Sequence, residues 1–462
     1  MAKGMFFGID SKARKSKRGY IGINGVARKI KKVYFGVDGK ARLAWSGLEN
    51  MNYVIMGHAY NSSNSNKTDA FLAYERTDNT SLSLLSTGSR TYNNDSSRTI
   101  SVARESGNIV AICLSRDIQV FKKSSTGYTN IFTLTGTNIH SYIPNTTSTS
   151  FIHTTPANLR YIESDFMGLS SNGVYLYCGV RTLDSSVSPL RTTLAVIIFN
   201  ISSGTPVYSS HFILYNTTIS QFSINSVQGK ANDDLSVFVT RVAYSEYGNS
   251  YYSISCYIKN SNNSFTQVSF PSYRSDYNHV YSGFPHLDVS PDGNYVSYKS
   301  EMDNPNNYVY NDQRQVIAKV NKSNYSLSVV AAGSVYTASV QYAGFLDNEH
   351  YYFAECTTNH YDGGTWKLHI MTLSNGVWTE TTHFTMQHPT SGGNLTGRDS
   401  NGVIGLAAIG LDLINNIIFI GLNNYRFSIC TLTGTNGTYT GYTHNTLVDY
   451  PYTCRIGQIF VG

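Results

Sequence analysis

Residues 285–298 read Pro285-His286-Leu287-Asp288-Val289-Ser290-Pro291-Asp292-Gly293-Asn294-Tyr295-Val296-Ser297-Tyr298. Two runs of apolar and strand-favouring residues flank a Ser-Pro-Asp-Gly turn. Proline presets φ, aspartate bonds the local backbone, and glycine accepts a positive φ. The stretch therefore reads as strand, tight turn, strand. Looser versions recur at 99–113 (TISVARESGNIVAIC), 341–356 (QYAGFLDNEHYYFAEC) and 405–420 (GLAAIGLDLINNIIFI), with weaker ones near 161–179 and 220–240. Each opens the same series: an inner strand, a turn, a strongly apolar strand, a third strand and a polar edge.

Outward from that stretch, residues 49–462 carry almost no helical periodicity. Alternating Val, Ile, Tyr, Phe and Thr segments are separated by Asn, Asp, Gly and Ser, which marks an all-β chain. The Ser290-to-Val296 hairpin resembles the first hairpin of a β-propeller blade. The units fall near 98–135, 160–215, 220–270, 285–330, 341–384 and 398–442. Two pieces remain, an inner-type strand at 453–461 (TCRIGQIFV) and three further strands within 52–87. Together they make one more blade, closed by both ends of the chain, which removes exposed sheet edges. The expectation is a seven-bladed propeller, with six or eight blades also compatible with the spacing. No Trp-Asp blade ending occurs, so the chain does not look like a WD40 protein proper.

The start of the chain differs in kind. Residues 6–47 hold three copies of a 14-residue unit: FFGIDSKARKSKRG, YIGINGVARKIKKV and YFGVDGKARLAWSG. Asn24-Gly25 and Asp38-Gly39 are hairpin-turn pairs, so the block reads as short antiparallel hairpins. Residues 1–48 contain 12 Lys/Arg and 2 Asp, a net of +10; the whole chain is +6, which leaves −4 for residues 49–462. Local charge of this kind steers binding toward acidic surfaces. The candidate attachment residues are Arg14, Arg28, Arg42, Lys29, Lys31, Lys32, Tyr20 and Tyr34. Basic strands with interleaved aromatics also suit a nucleic-acid backbone, but strict repetition is better explained by a folded piece that docks on protein. The run from Tyr20 to Arg42 is similar to N-terminal segments of virion proteins from phages and prophages of Gram-positive bacteria. That resemblance covers about the first tenth of the chain. It implies that residues 1–48 attach to other virion proteins and that 49–462 form the displayed domain.

Composition bounds the rest. Charged residues are 14% of the chain, below the usual quarter, so Ser, Thr, Asn and the 36 tyrosines must coat the surface. No apolar run approaches the ~18 residues of a membrane-spanning helix, and the opening MAKGMFFGID has no signal-peptide core. Membrane insertion is not expected, and the expected location is the virion, assembled in the cytoplasm of a bacterial host. Cys113, Cys178, Cys256, Cys356, Cys430 and Cys454 are far apart, without a CxxC pair, and read as small buried residues rather than a disulfide or zinc framework. Without a heptad stalk, homo-oligomerisation is left open.

No catalytic motif stands out: GxSxG, HExxH, P-loop and GxGxxG settings are missing. Neither a cofactor nor a metal is expected. Asp276, Asp288, Asp292, Asp303 and Asp347 read as turn-capping residues. The loop residues Tyr277, His279, Tyr281, His350, Tyr361 and Trp366 are the candidate ligand-binding set, because aromatics stack on sugar rings and His bonds hydroxyls. The functional expectation is a tail-fibre or baseplate appendage that displays a propeller for recognition of bacterial surface glycan. A capsid or neck decoration fibre is the first alternative. A propeller glycosidase or lyase acting on host polysaccharide is the enzymatic one.

Overall fold

A computed structural model describes residues 5–9, 12–16, 19–23, 26–30, 32–37, 40–46, 52–59, 67–76, 82–92, 98–103, 108–114, 117–124, 127–143, 159–184, 191–218, 222–271, 279–280, 287–301, 313–333, 340–356, 365–387, 406–422, 426–435, 437–449 and 454–461. The described chain is β-strand apart from its turns and one 3₁₀ turn at Ile139–Tyr142.

Three hairpins come first. β1 (Met5–Ile9) pairs with β2 (Lys12–Ser16), β3 (Gly19–Ile23) with β4 (Val26–Ile30), and β5 (Lys32–Val37) with β6 (Lys40–Ser46). The sequence repeat is also a register repeat: Gly8 faces Ala13, Gly22 faces Ala27 and Gly36 faces Ala41.

The body is a β-propeller. β7 (Asn52–Ala59), β8 (Lys67–Arg76) and β9 (Leu82–Tyr92) begin one sheet. The next holds β10 (Arg98–Val102), β11 (Ile109–Leu114), β12 (Asp117–Ser124) and β13 (Gly127–Leu134). It is followed by β14 (Leu159–Leu169), β15 (Tyr175–Asp184), β16 (Arg191–Asn200) and β17 (Val207–Thr217). Then come β18 (Phe222–Ala231), β19 (Val237–Glu246), β20 (Asn249–Lys259) and β21 (Phe265–Ser269). A fifth sheet contains β22 (His279–Val280), β23 (Asp288–Val289), β24 (Tyr295–Glu301), β25 (Gln313–Asn321) and β26 (Ser326–Ala332). The last two full meanders are β27 (Val340–Phe345), β28 (His350–Cys356), β29 (Trp366–Ser374) and β30 (Val377–Thr385), then β31 (Leu406–Asp412), β32 (Ile417–Leu422), β33 (Arg426–Thr435) and β34 (Thr438–Asp449). β35 (Cys454–Val461) returns to pair antiparallel with β7.

Six sheets are thus four-stranded, which corrects the expectation of seven such blades. The remaining sheet has five strands, because two short strands, β22 and β23, both pair with β24. Closure by both chain ends stands: β35 occupies the inner edge beside β7 and lies against β31 and β10.

Burial explains why the second and third strand of each sheet read as near-continuous apolar runs. β32 is buried at all six positions and β16 at its eight inner positions, since neighbouring sheets cover both faces. Fourth strands such as β17 meet water and return to mixed exposure. Separate clusters fill successive gaps. Ile197 and Phe199 pack with Ile118 and Val120 on one side of their sheet, while Val196 and Ile198 pack with Phe238 on the other. Fully burying one phenylalanine such as Phe199 contributes roughly 1.5–3 kcal/mol. Stability here is spread over many such gaps. Cys113, Cys178, Cys256, Cys356 and Cys430 are free and buried, as expected.

The turns after the inner strands form a linked rim. Ser290 Oγ donates to Asp292 Oδ1 at 2.7 Å and accepts from Tyr295 N–H at 2.9 Å. Ser170 and Asn172 repeat this at 2.8 and 2.9 Å, and Asn232 accepts from Ser236 and Val237 N–H groups at 2.9 and 2.8 Å. Successive turns also bond each other: Ser171 N–H to Asp233 O at 3.1 Å, Asp233 N–H to Pro291 O at 3.0 Å, and Asp292 N–H to Asn348 Oδ1 at 2.9 Å.

Candidate functional site

The inner strands β10, β14, β18, β23, β27, β31 and β35 surround a cavity of about 520 Å³. Its wall mixes apolar groups, such as Ile100, Met167, Ile409 and Phe460, with Asp165, Gln228, Lys230 and Asp288. Contacts run from one inner strand to the next around the ring, and Tyr342 Oη donates to Leu406 O at 3.2 Å where β27 meets β31. The cavity therefore takes its shape from rigid strands, which hold side chains more firmly than loops do.

Asp288 is the polar centre of this wall. It stands in β23, beside the turn that caps the strand, and is buried. Its Oδ2 accepts the Phe345 N–H at 2.7 Å, and its Oδ1 lies 3.6 Å from Lys230 Nζ. Gly344 makes room for this: a Cβ there would sit 2.8 Å from Asp288 Oδ2. The turn-capping expectation for Asp288 is corrected accordingly, since its side chain joins β23 to β27 and faces the cavity. Asp292 and Asp347 do cap turns, Asp292 accepting Asn294 N–H at 3.0 Å and Asp347 accepting Glu349 and His350 N–H at 2.7 Å each. Asp276 and Asp303 lie outside the described residues.

Lys230 is half-exposed, so the cavity offers one accessible ammonium beside a buried carboxylate. Tyr342 and Tyr352 also line it, and burial pushes both phenols well above their ordinary range, so they stay protonated donors. Such a wall can grip a small polar ligand through hydrogen bonds and aromatic faces.

The expected ligand set is not assembled. Tyr277, Tyr281 and Tyr361 lie outside the described residues, as does His360, and His279 opens β22 with its backbone opposite Glu301. His350 and Trp366 mark opposite ends of the β28–β29 ladder, pairing with Thr372 and Cys356 respectively. Six residues of strand separate those ends, roughly 20 Å. Trp366 is 2% exposed and packs among Leu368, Phe384 and Leu406, so it is a core residue rather than a ligand platform. His350 caps its own hairpin, with Nδ1 2.9 Å from both Asp347 carboxylate oxygens. Neither residue lines the central cavity. Lys230 and Gln228, which do, carry no sequence signal beyond their place in an alternating strand.

In the attachment set, Arg14, Arg28 and Arg42 occupy equivalent positions opposite Phe7, Ile21 and Phe35. Tyr20 pairs with Lys29, Lys32 with Ser46, and Tyr34 with Leu43; Lys31 is outside the described residues.

No protein-family profile matches the chain. No curated protein matches it either. Among solved structures it is similar to the β-propeller domain of Cps50 (Swd1) from Myceliophteria thermophila, at 7% identity and a TM-score of 0.41, covering 77% of this chain and 87% of that one. It is also similar to the β-propeller domain of the Trilobed protease from Pyrococcus furiosus, described as having an open velcro topology, at 10% identity and a TM-score of 0.43, covering 87% and 93%. The C-terminal WD40 domain of Sif2 is similar at 11% identity and a TM-score of 0.35, covering 78% and 91%.

Proposed function

We propose that this chain is a virion structural protein of a phage or prophage, anchored by residues 1–48 and displaying its propeller toward the bacterial surface. The supporting observation is the N-terminal block itself. Three hairpins share one pairing register and place arginine at the same register position each time, within a segment of net charge +10. Isolated two-stranded hairpins are marginally stable in water. A block of three with concentrated charge suits assembly onto an acidic protein partner.

In this reading the propeller is a binding module rather than an enzyme, and surface glycan is its ligand. The central cavity, with Lys230, Asp288 and the tyrosine pair Tyr342 and Tyr352, is suited to hydroxyl-rich groups. Its location is the assembled particle.

The test is immunogold electron microscopy of particles induced from the encoding bacterium, with antibody raised against residues 49–462. Label at the tail tip or baseplate supports host recognition. Label on the head or neck keeps the virion role but makes the protein a decoration fibre. Intact particles without label remove the virion reading. A chain lacking residues 1–48 is expected to be absent from particles while still folding.

A further inference from the structure

A polar cluster lies between the β22–β26 and β27–β30 sheets, away from the central cavity. Its centre is His369 on β29, which is 0% exposed. His369 Nδ1 lies 3.2 Å from Glu380 Oε1, and Nε2 lies 3.3 Å from Glu355 Oε1. His383 stacks on His369, with ring centroids 4.4 Å apart, and its Nδ1 lies 3.8 Å from the same Glu380 oxygen. Phe353 closes the other face of His369, at 4.5 Å and nearly parallel.

We propose that His369 Nδ1, Glu380 Oε1 and His383 Nδ1 bind one late first-row divalent metal ion of the Zn²⁺ class, with Glu355 as the positioning acceptor for His369 Nε2–H.

The distances suit a shared ion. Tetrahedral ligands on bonds of about 2.0 Å stand about 3.3 Å apart. The two ligand pairs that include Glu380 Oε1 are at 3.2 and 3.8 Å, and the three residues each offer a ligand atom within 4.8 Å of the others. Among the described residues this is the one group of three such side chains so placed. In the stacked pose the two ring planes are close to parallel, so His383, which is half-exposed, turns out of the stack to aim its Nδ1 at a shared ion.

The surroundings of His369 suit a metal ligand. A metal-bound histidine usually gives its other N–H to a carboxylate, which fixes the tautomer and raises ligand basicity. Glu355 stands in that place, and it is 3% exposed with its Oε2 lacking a hydrogen-bond partner among the described residues. A buried carboxylate of this kind is costly unless positive charge lies nearby. A divalent ion on His369 Nδ1 supplies that charge, while Nε2–H donates to Glu355 Oε1. Metal binding replaces the Nδ1 proton of His369, which leaves to solvent, and one coordination position remains for water or a ligand. Two imidazoles and one carboxylate favour Zn²⁺ over Mg²⁺ or Ca²⁺, which prefer all-oxygen shells.

The strand pairing brings the two histidines together. Asn375 and Gly376, both at positive φ, form the two-residue turn between β29 and β30. That turn alone would set His369 opposite Thr382. A bulge between Ile370 and Met371 shifts the register by one and sets His369 opposite His383. Thr381, the extra residue, anchors the bulge by donating to Gly437 O at 2.6 Å.

The experiment is isothermal titration of the untagged full chain, stripped with chelator, using Zn²⁺ and then Mg²⁺ as probes. One equivalent of Zn²⁺ is expected to bind, with no Mg²⁺ heat. His383→Ala and Glu380→Gln should each weaken Zn²⁺ at least ~10-fold, Glu355→Gln about 10- to 100-fold, and His350→Ala should leave it unchanged. Circular dichroism checks that each variant folds. Since His383 is half-exposed, that variant keeps the test decisive even if the Glu355 variant unfolds. Co²⁺ substitution should give the absorption of a tetrahedral nitrogen–oxygen site. No Zn²⁺ binding, or Zn²⁺ binding untouched by His383→Ala and Glu380→Gln, overturns the assignment. Neither result depends on the virion role proposed above.

Discussion

The Asp233 N–H donates to the Pro291 carbonyl oxygen at 3.0 Å, joining the first turn of one sheet to the first turn of the next. The same rim leaves no room at Gly293. Its φ is +67°, and a Cβ there would lie 2.6 Å from Asn232 Nδ2 in the neighbouring turn. Asn232 is itself fixed by its bonds to Ser236 and Val237, so it cannot withdraw freely. Gly293→Ala should therefore cost about 2–3 kcal/mol, combining left-handed strain with a displaced neighbour. Gly204 also has a positive φ, +82°, with nothing within 4 Å, and Gly204→Ala should cost only about 1 kcal/mol. Urea unfolding of both variants measures the difference. Equal losses would mean that the rim contact adds nothing.

Asp288 allows two roles to be separated. Its Oδ2 satisfies the buried Phe345 N–H, while its Oδ1 faces the half-exposed Lys230. Leaving a buried amide unpaired costs roughly 1–3 kcal/mol, whereas an ion pair with an exposed lysine contributes about 0–1 kcal/mol. The hydrogen bond should dominate. Asp288→Ala is expected to lose about 1–3 kcal/mol, and Asp288→Asn, which keeps an acceptor, less than about 1 kcal/mol. Similar losses for the two in denaturant titrations would show that charge, not the acceptor, is what matters.

Cys113, Cys178, Cys256, Cys356 and Cys430 should be chemically silent in the folded chain. Burial pushes the thiols of Cys178, Cys256 and Cys430 up to about 12, and Cys113 and Cys356 are equally enclosed. Since the thiolate is the reactive form, iodoacetamide at pH 8 should leave all five unmodified in native protein and label all five in urea, read by peptide mass mapping. Native labelling at Cys178 would reveal local opening of its sheet.

How much of this was legible follows from which interactions are local. The turn at Ser290–Gly293 is specified by four adjacent residues, and the strands on either side of it fall where the sequence places them. The closing pair, β35 with β7, was readable because each end lacked partners of its own. The five-stranded sheet was not, since β22 is two residues long and pairs with β24 across the chain. The sites were harder still. Trp366 resembles a loop aromatic in sequence, yet it starts a strand whose even-numbered side packs on the β31–β34 sheet. Lys230 and Asp288 meet only because two sheets converge at the ring centre. His369 and His383 meet because of one bulge, which no residue pattern in β29 or β30 announces.

His350 gives the chain a defined pH response. Burial opposes its protonation, but the hydrogen bond to Asp347 and the charges of Asp347 and Glu349 outweigh burial and raise its pKa above the usual 6.5. A native pKa above the unfolded one means that protonation favours the folded state. The stabilisation is fully present below about pH 6.5, and it is lost as pH rises through the higher native value. His350→Gln removes it while keeping a polar side chain against the same turn. The stability gap between wild type and this variant should be largest near pH 5.5 and shrink to a constant packing difference by about pH 9. Asp347→Asn should flatten the same profile, since the partner that raises the pKa is gone. Unfolding free energies measured across that range for the three proteins decide it: a gap that widens with increasing pH would reverse the sign and refute the role of Asp347.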